Sequence, residues 1–311
     1  MTLRPRMVWL LTAALCLSGC AAQSLMVDPM AGLLADGAAA YEQEADLELL
    51  REAFPAHIKL LEVLLQSDPD HPGLHLLLAR LYGGCAFTVF EPDLERLRWR
   101  PAEDTDARSE AARLRARADR FYRRGAEHAL AVLERRHAGF ENRLARVGDR
   151  EAALAAVTVR DVPALFWYAF NLGSRVNLNR GDLRLVARAH QAEGAMRRVV
   201  ALRPGFYHGA AHLFLMRYYA AQPMASGSRA EAHYRAMTAL PGAARVAAEV
   251  FYAHDVLLPR GARQAFETRL AEAARLAAAG GITGLLDRVA LAQAERLAAA
   301  GDRLFEKGAT P

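Results

Sequence analysis

The chain has 311 residues, 53% of them hydrophobic and 24% charged, which supplies a sizeable core and excludes a disordered or collagen-like chain. The formal charge of +5 is interspersed with Glu and Asp rather than gathered into a stripe, and this argues against a nucleic-acid partner. Three cysteines in a chain of this length exclude a disulfide scaffold.

The first 19 residues read as a signal. Arg4 and Arg6 form a positive n-region, Val8 to Leu17 is an apolar stretch too short to span a bilayer, and Leu17-Ser18-Gly19-Cys20 resembles a bacterial lipobox. That resemblance implies cleavage before Cys20 and lipidation of its thiol, and several acyl chains on one residue hold a protein to a membrane firmly. Ala21 stands where Asp would favour the inner membrane, so the expected address is the outer membrane, with the body facing the periplasm. Residues 20–37 suit a lipidated tether and 38–307 a helical domain. With Cys16 lost and Cys20 acylated, Cys85 has no partner for a disulfide or a cysteine metal site.

Helical periodicity then runs through the chain. Leu47, Leu50, Phe54, Ile58, Leu61, Leu64 and Leu65 recur near the 3.6-residue period, with Pro55 expected to kink or restart the helix. Pro69 and Pro72 mark a turn. Leu74, Leu77, Leu78, Leu81, Cys85 and Thr88 form the next stripe, which puts Cys85 on an apolar face as a core residue. Residues 99–109 have loop composition, and a long amphipathic helix follows with Leu114, Ala118, Phe121, Tyr122, Ala129, Val132 and Leu133 on its apolar side.

Asp161 and Pro163 start a helix bearing Leu165, Ala169, Leu172 and Val176. Gly181-Asp182 reads as a stop and an N-cap, predicting a helix from Leu183 to Leu202 closed by Pro204-Gly205, and another from Tyr207 to Ala221. Pro223 to Ser228, Pro241-Gly242 and Pro259-Arg260-Gly261 are breaks, and 262–305 reads as two Ala/Leu-rich helices parted near Gly280-Gly281. Strict alternation is missing, so the class is all-α. Leu60 to Leu65 before Pro69, then Leu76 to Tyr82, has a counterpart in Met196 to Val200 before Pro204, then Leu213 to Tyr219. Ala118 with Tyr122, and Ala230 with Tyr234, repeat a small-to-aromatic spacing. These features predict degenerate, tetratricopeptide-like antiparallel helix hairpins in an α-solenoid, an architecture that usually binds partners.

Catalytic and metal motifs are weak. His208 and His212, like His71 and His75, stand four apart as two ligands on one helix would, but the first pair lacks the glutamate of a zinc-protease helix and His71-Pro72 lies in a turn. No strand-to-helix serine elbow, P-loop or dinucleotide fingerprint occurs, so neither an enzyme nor a cofactor is expected. Phe166, Trp167, Tyr168 and Phe170 are too closely spaced to share one helix face, so some are expected to leave the core and line an apolar groove, with Asn171, Arg175 and Asn177 on its polar flank. The candidate ligand or partner residues are Trp167, Phe170, Asn171, Arg175, His208, His212 and Tyr218.

Several stretches in order resemble one family. Asp46 to Ala53 with Pro55, Leu60 to Pro69, Tyr122-Arg123-Arg124-Gly125 through Ala129-Leu130 to Gly139-Phe140, Ala164 to Trp167, His212 to Leu215 with Tyr218-Tyr219, and Ala292 to Phe305 are similar to the T-component lipoproteins (TatT) of tripartite ATP-independent periplasmic (TRAP) transporters. The resemblance implies a periplasm-facing homotrimer that pairs with a periplasmic solute-binding protein of a TRAP system and presents an apolar pore or cleft to a hydrophobic ligand. The repeats alone also fit a tetratricopeptide scaffold in outer-membrane or envelope assembly.

Overall fold

Polar side chains set where several helices begin. In the computed structural model, which describes residues 28–101, 103–222 and 227–306, helix α1 (28–36) leads into α2 (Ala38–Gln43) and α3 (Leu47–Ser67). The signal, Cys20 and residues 223–226 of the predicted break lie outside the described residues. Asp46 caps α3 by accepting the Glu48 and Leu49 N–H groups at 2.9 and 3.1 Å, and His71 caps α4 (Pro72–Cys85) through Nδ1 and the Leu74 N–H at 3.1 Å. Helix α3 runs through Pro55 as one helix, so of the kink or restart expected there the restart does not occur. Residues 28–36, expected in the tether, are helical, and Ala31 is buried against the α3–α4 core.

A π-helical turn, Ala86–Phe90, joins α4 to α5 (Glu91–Arg98). The run Pro72–Arg98 is long and apolar enough to cross a membrane, but 67% of its most apolar window is buried inside the protein. Asp104 accepts the Ala107 N–H at 2.9 Å and starts α6 (Thr105–Arg136), so the predicted loop ends at 104 rather than 109. Short helices α7 (Phe140–Ala145) and α8 (Arg150–Ala155) precede α9 (Val162–Leu178), and the 3-10 turn Val159–Asp161 leading into α9 is closed by the buried Asp161 carboxylate, which accepts from Thr158. Burial would raise that carboxyl, but donors from Arg136, Thr158 and His137 hold it well below the usual carboxylate range.

The predicted Leu183–Leu202 helix is two, α10 (Leu183–Val186) and α11 (Ala189–Leu202). Helices α12 (Ala210–Ala220), α13 (Gly227–Ala239), α14 (Arg245–Tyr252), α15 (Arg263–Ala278) and α16 (Leu285–Ala300) complete the chain, with a second π-helical turn, Ala253–Leu257, after α14. There is no strand among the described residues, as the all-α reading requires. Helices pack on their chain neighbours, α3 on α4, α11 on α12, α12 on α13 and α15 on α16, a pattern compatible with a hairpin array.

Two hydrophobic cores result. The first joins α3, α4, the first π turn and α6 through Phe54, Leu74, Leu78 and Tyr122, and the second is built around α9 and α14. Helix α9 is flanked by α4, α6 and α11, so Leu165, Phe166, Trp167, Tyr168 and Ala169 are all buried in succession. The expectation that some of these rings leave the core fails for 166–168 because a helix covered on several sides buries its whole circumference.

The two halves repeat one constellation. His75 and His128 meet Nδ1 to Nδ1 at 2.9 Å, and His212 and His233 do so at 3.0 Å. Tyr82 stacks on His128 at 5.8 Å and 12°, and Tyr219 on His233 at 5.6 Å and 14°. Tyr82 donates to Glu62 as Tyr219 does to Glu193, and Arg124 and Arg229 lie over the two tyrosine rings at 5.6 and 5.5 Å. Helices α3, α4 and α6 thus correspond to α11, α12 and α13. This register aligns His128 with His233.

Candidate functional site

The seam between the two cores carries the most convergent set of unused chemistry. Phe87, in the first π turn, and Phe170, in α9, each pack against both cores and remain partly exposed. Their rings meet edge to face at 5.8 Å, Phe87 lies 6.1 Å from Phe251 of α14, and Phe170 lies 6.2 Å from Tyr122.

Charged groups from three elements stand beside these rings. Arg217 of α12 lies over Phe251 at 4.6 Å and donates from Nε to Asp255 at 2.6 Å, and His254 Nδ1 stands 2.8 Å from the other Asp255 oxygen. Glu91, the first residue after the first π turn, accepts the Tyr122 hydroxyl. Asp255 lies within the second π turn, so each π turn delivers one carboxylate, and such turns are frequent at functional sites.

Burial shapes these groups in different directions. It pushes the Glu91 carboxyl up, against the opposing pull of Arg217 and the Tyr122 hydroxyl. It would raise Asp255 too, but the Arg217 guanidinium and His254 overcome it and hold the carboxylate well below its usual range. Arg217 and Asp255 are half-buried, with 29% and 18% of their side-chain surface accessible, so the pair can be reached from solvent.

The family model of the TRAP transporter T-component matches residues 43–305. The chain belongs to this T-component family. A protein of Treponema pallidum (strain Nichols), named "Uncharacterized protein", is 30% identical over 200 residues, 63% of this chain and 60% of that protein, so the match spans under two thirds of the relative's length. By its description, that family is a component of TRAP transporters.

Of the sequence candidates, Phe170 lies in the T-component's seam. Tyr218 is half-buried next to Arg217, with its ring 5.3 Å from Tyr219. Trp167 is core, set edge to face against Phe166, Phe170 and Tyr207. Asn171, expected on a polar flank, is fully buried, with its amide donating to the carbonyls of Ala79 and Trp167 at 3.1 and 2.7 Å. Arg175 pairs with Asp119 at 2.8 Å where α6 and α9 cross.

The two histidines do not share a helix face. Tyr207 and His208 are left-handed, with φ of 48° and 56°, and α12 begins only at Ala210. Such positions cost about 1–3 kcal/mol each, offset here by Tyr207 donating to Glu42 at 2.7 Å and His208 Nδ1 to the Gly242 carbonyl at 3.0 Å. His212 is buried in its pair with His233. Cys85 is core as expected, its thiol pushed up to about 12 by burial, out of the range of a reactive thiolate.

One cation-like cluster occurs among the described residues: Asp28, Asp68 and His71 bring donor atoms within 4.8 Å of one another. Because His71 Nδ1 accepts the Leu74 N–H, its neutral ring carries the proton on Nε2, facing Asp28 at 2.9 Å, and offers that position no lone pair.

Glu91, Arg217, His254, Asp255, Phe87 and Phe251 escaped the sequence reading, although a signal was there. Arg217 is the one formal charge in Ala210–Ala220, and Asp255 interrupts the apolar run from Val250 to Leu258. A charge inside a run that must be buried is expensive and marks a site.

Proposed function

We propose that the T-component is a lipid-tethered, non-enzymatic partner of a periplasmic solute-binding protein in TRAP-type uptake, and that its seam is a cleft for a ligand with an apolar part. Cys20 is the tether, the outer membrane its address, and a homotrimer its working assembly. The observation that carries the ligand reading is the seam itself, where the partly exposed Phe87 and Phe170 continue the ring surface of Phe251, over which Arg217 lies in its pair with Asp255.

A second observation supports protein contact. Leu49, Leu60 and Val63 recur along the outer face of α3 at 51%, 45% and 59% exposure, an apolar stripe of the kind that marks interaction surfaces. Affinity capture of the tagged protein from cells after mild cross-linking is expected to recover the solute-binding protein encoded beside it. Recovery of outer-membrane assembly factors, with no solute-binding protein, would contradict this function.

A further inference from the structure

Arg217 is only half used. Its Nε is committed to Asp255, but the two terminal nitrogens have no hydrogen-bond partner among the described residues, and they are not sealed from solvent-sized space. Its guanidinium carbon lies over the Phe251 ring at 4.6 Å, and the Nε bond to Asp255 holds it there. A guanidinium held in this way presents a preset two-donor fork, the geometry that matches a carboxylate with two parallel hydrogen bonds.

The surroundings narrow the class. Phe251 lies 4.6 Å from the fork, and Phe87, 6.1 Å from Phe251, and Phe170, 5.8 Å from Phe87, extend the apolar surface away from it. The carboxylates of Asp255 and Glu91 lie within electrostatic range of Arg217, which penalises a dianionic head such as a phosphate monoester more than a monoanion. Glu91, pushed up by burial, carries its proton to higher pH than an ordinary glutamate and in that form donates to an incoming oxygen instead of repelling it.

We infer that the seam binds an amphiphile with a single carboxylate head, held by the two terminal nitrogens of Arg217, with its apolar body on Phe87 and Phe170. This rests on the reading of the seam as a ligand cleft. The test is calorimetric titration of the purified full-length protein with decanoate, decanol and decyl phosphate. Decanoate is expected to bind at least tenfold more tightly than either analogue. Arg217→Lys, which keeps a cation for Asp255 but loses the fork, is expected to abolish that preference while leaving decanol binding and the melting temperature near their original values. Phe170→Ala is expected to weaken decanoate and decanol together.

Equal affinity for decanoate and decanol, decanoate binding unchanged in Arg217→Lys, or no binding of any probe would each overturn the inference. Affinity capture of the solute-binding protein is scored on the same preparations. Capture that persists without probe binding defeats the ligand assignment alone, whereas lost capture with probe binding intact defeats the transport partnership.

Discussion

Asn171 fixes how closely α4, α6 and α9 approach. A Cβ built at Gly83 or at Gly125 would lie 2.5 Å from its Oδ1, so each glycine directs a Cα–H at that oxygen, which has no conventional donor. Gly83→Ala or Gly125→Ala must displace a fully buried amide and is expected to cost about 2–3 kcal/mol, at the upper part of the overpacking range. Urea unfolding checks this, and the cost of Gly125→Ala should shrink markedly in an Asn171→Ala background, because the clash partner is gone. Equal costs in both backgrounds would show that the amide does not set the approach. The sequence placed Asn171 beside an aromatic cluster correctly but could not reveal its burial, which depends on two glycines 88 and 46 positions away in the chain.

The two histidine pairs act at the level of elements, joining α4 to α6 and α12 to α13. His75 Nε2 faces the Pro69 carbonyl at 2.9 Å and must carry the proton, so its Nδ1 accepts from His128. Burial, then the partner imidazole, pushes His128 and His212 down to about 4, and burial lowers His233 as well. Glu62 pulls His128 upward while Arg124 opposes protonation, and Arg197 opposes it at His233. An unfolded imidazole titrates near about 6.5, so between that value and about 4 the unfolded chain binds more protons. The stabilisation is therefore complete above about pH 6.5 and is lost as pH falls toward 4. The urea midpoint should fall over this window, and His128→Phe should reduce the slope by removing one of the two pairs. An unchanged slope would assign the acid sensitivity elsewhere.

Element boundaries were legible where local chemistry sets them and obscure where packing does. The starts at Asp46 and Asp182 follow from side chains next to the helix. The break between α10 and α11 falls at Ala187-Arg188, which has neither glycine nor proline. There Arg188 is drawn to Glu141 at 2.8 Å, a partner 47 residues away. The left-handed Tyr207-His208 pair is likewise held by Glu42, 165 positions from Tyr207, and by Gly242, 34 positions from His208, contacts invisible to periodicity. The all-α class was legible, but the correspondence between the two halves became clear only when the two histidine pairs were placed side by side.

On the scale of the whole molecule, the duplicated halves leave a seam, and the two π turns feed one carboxylate each toward it. If Cys20 is the tether, Cys20→Ala should move the protein to the soluble fraction with an unchanged melting temperature, since residue 20 precedes the described helical body. Retention of that variant in membranes after a high-salt wash would contradict lipid anchoring. Envelope tethering and a ligand cleft, as proposed, matter to transport only if the T-component works with a TRAP permease. The most direct test is uptake of the labelled TRAP solute in cells lacking the T-component gene, with and without the restored wild-type gene. Uptake is expected to fall on deletion and recover on restoration, whereas uptake equal to wild type in the deletion strain would contradict the accessory role.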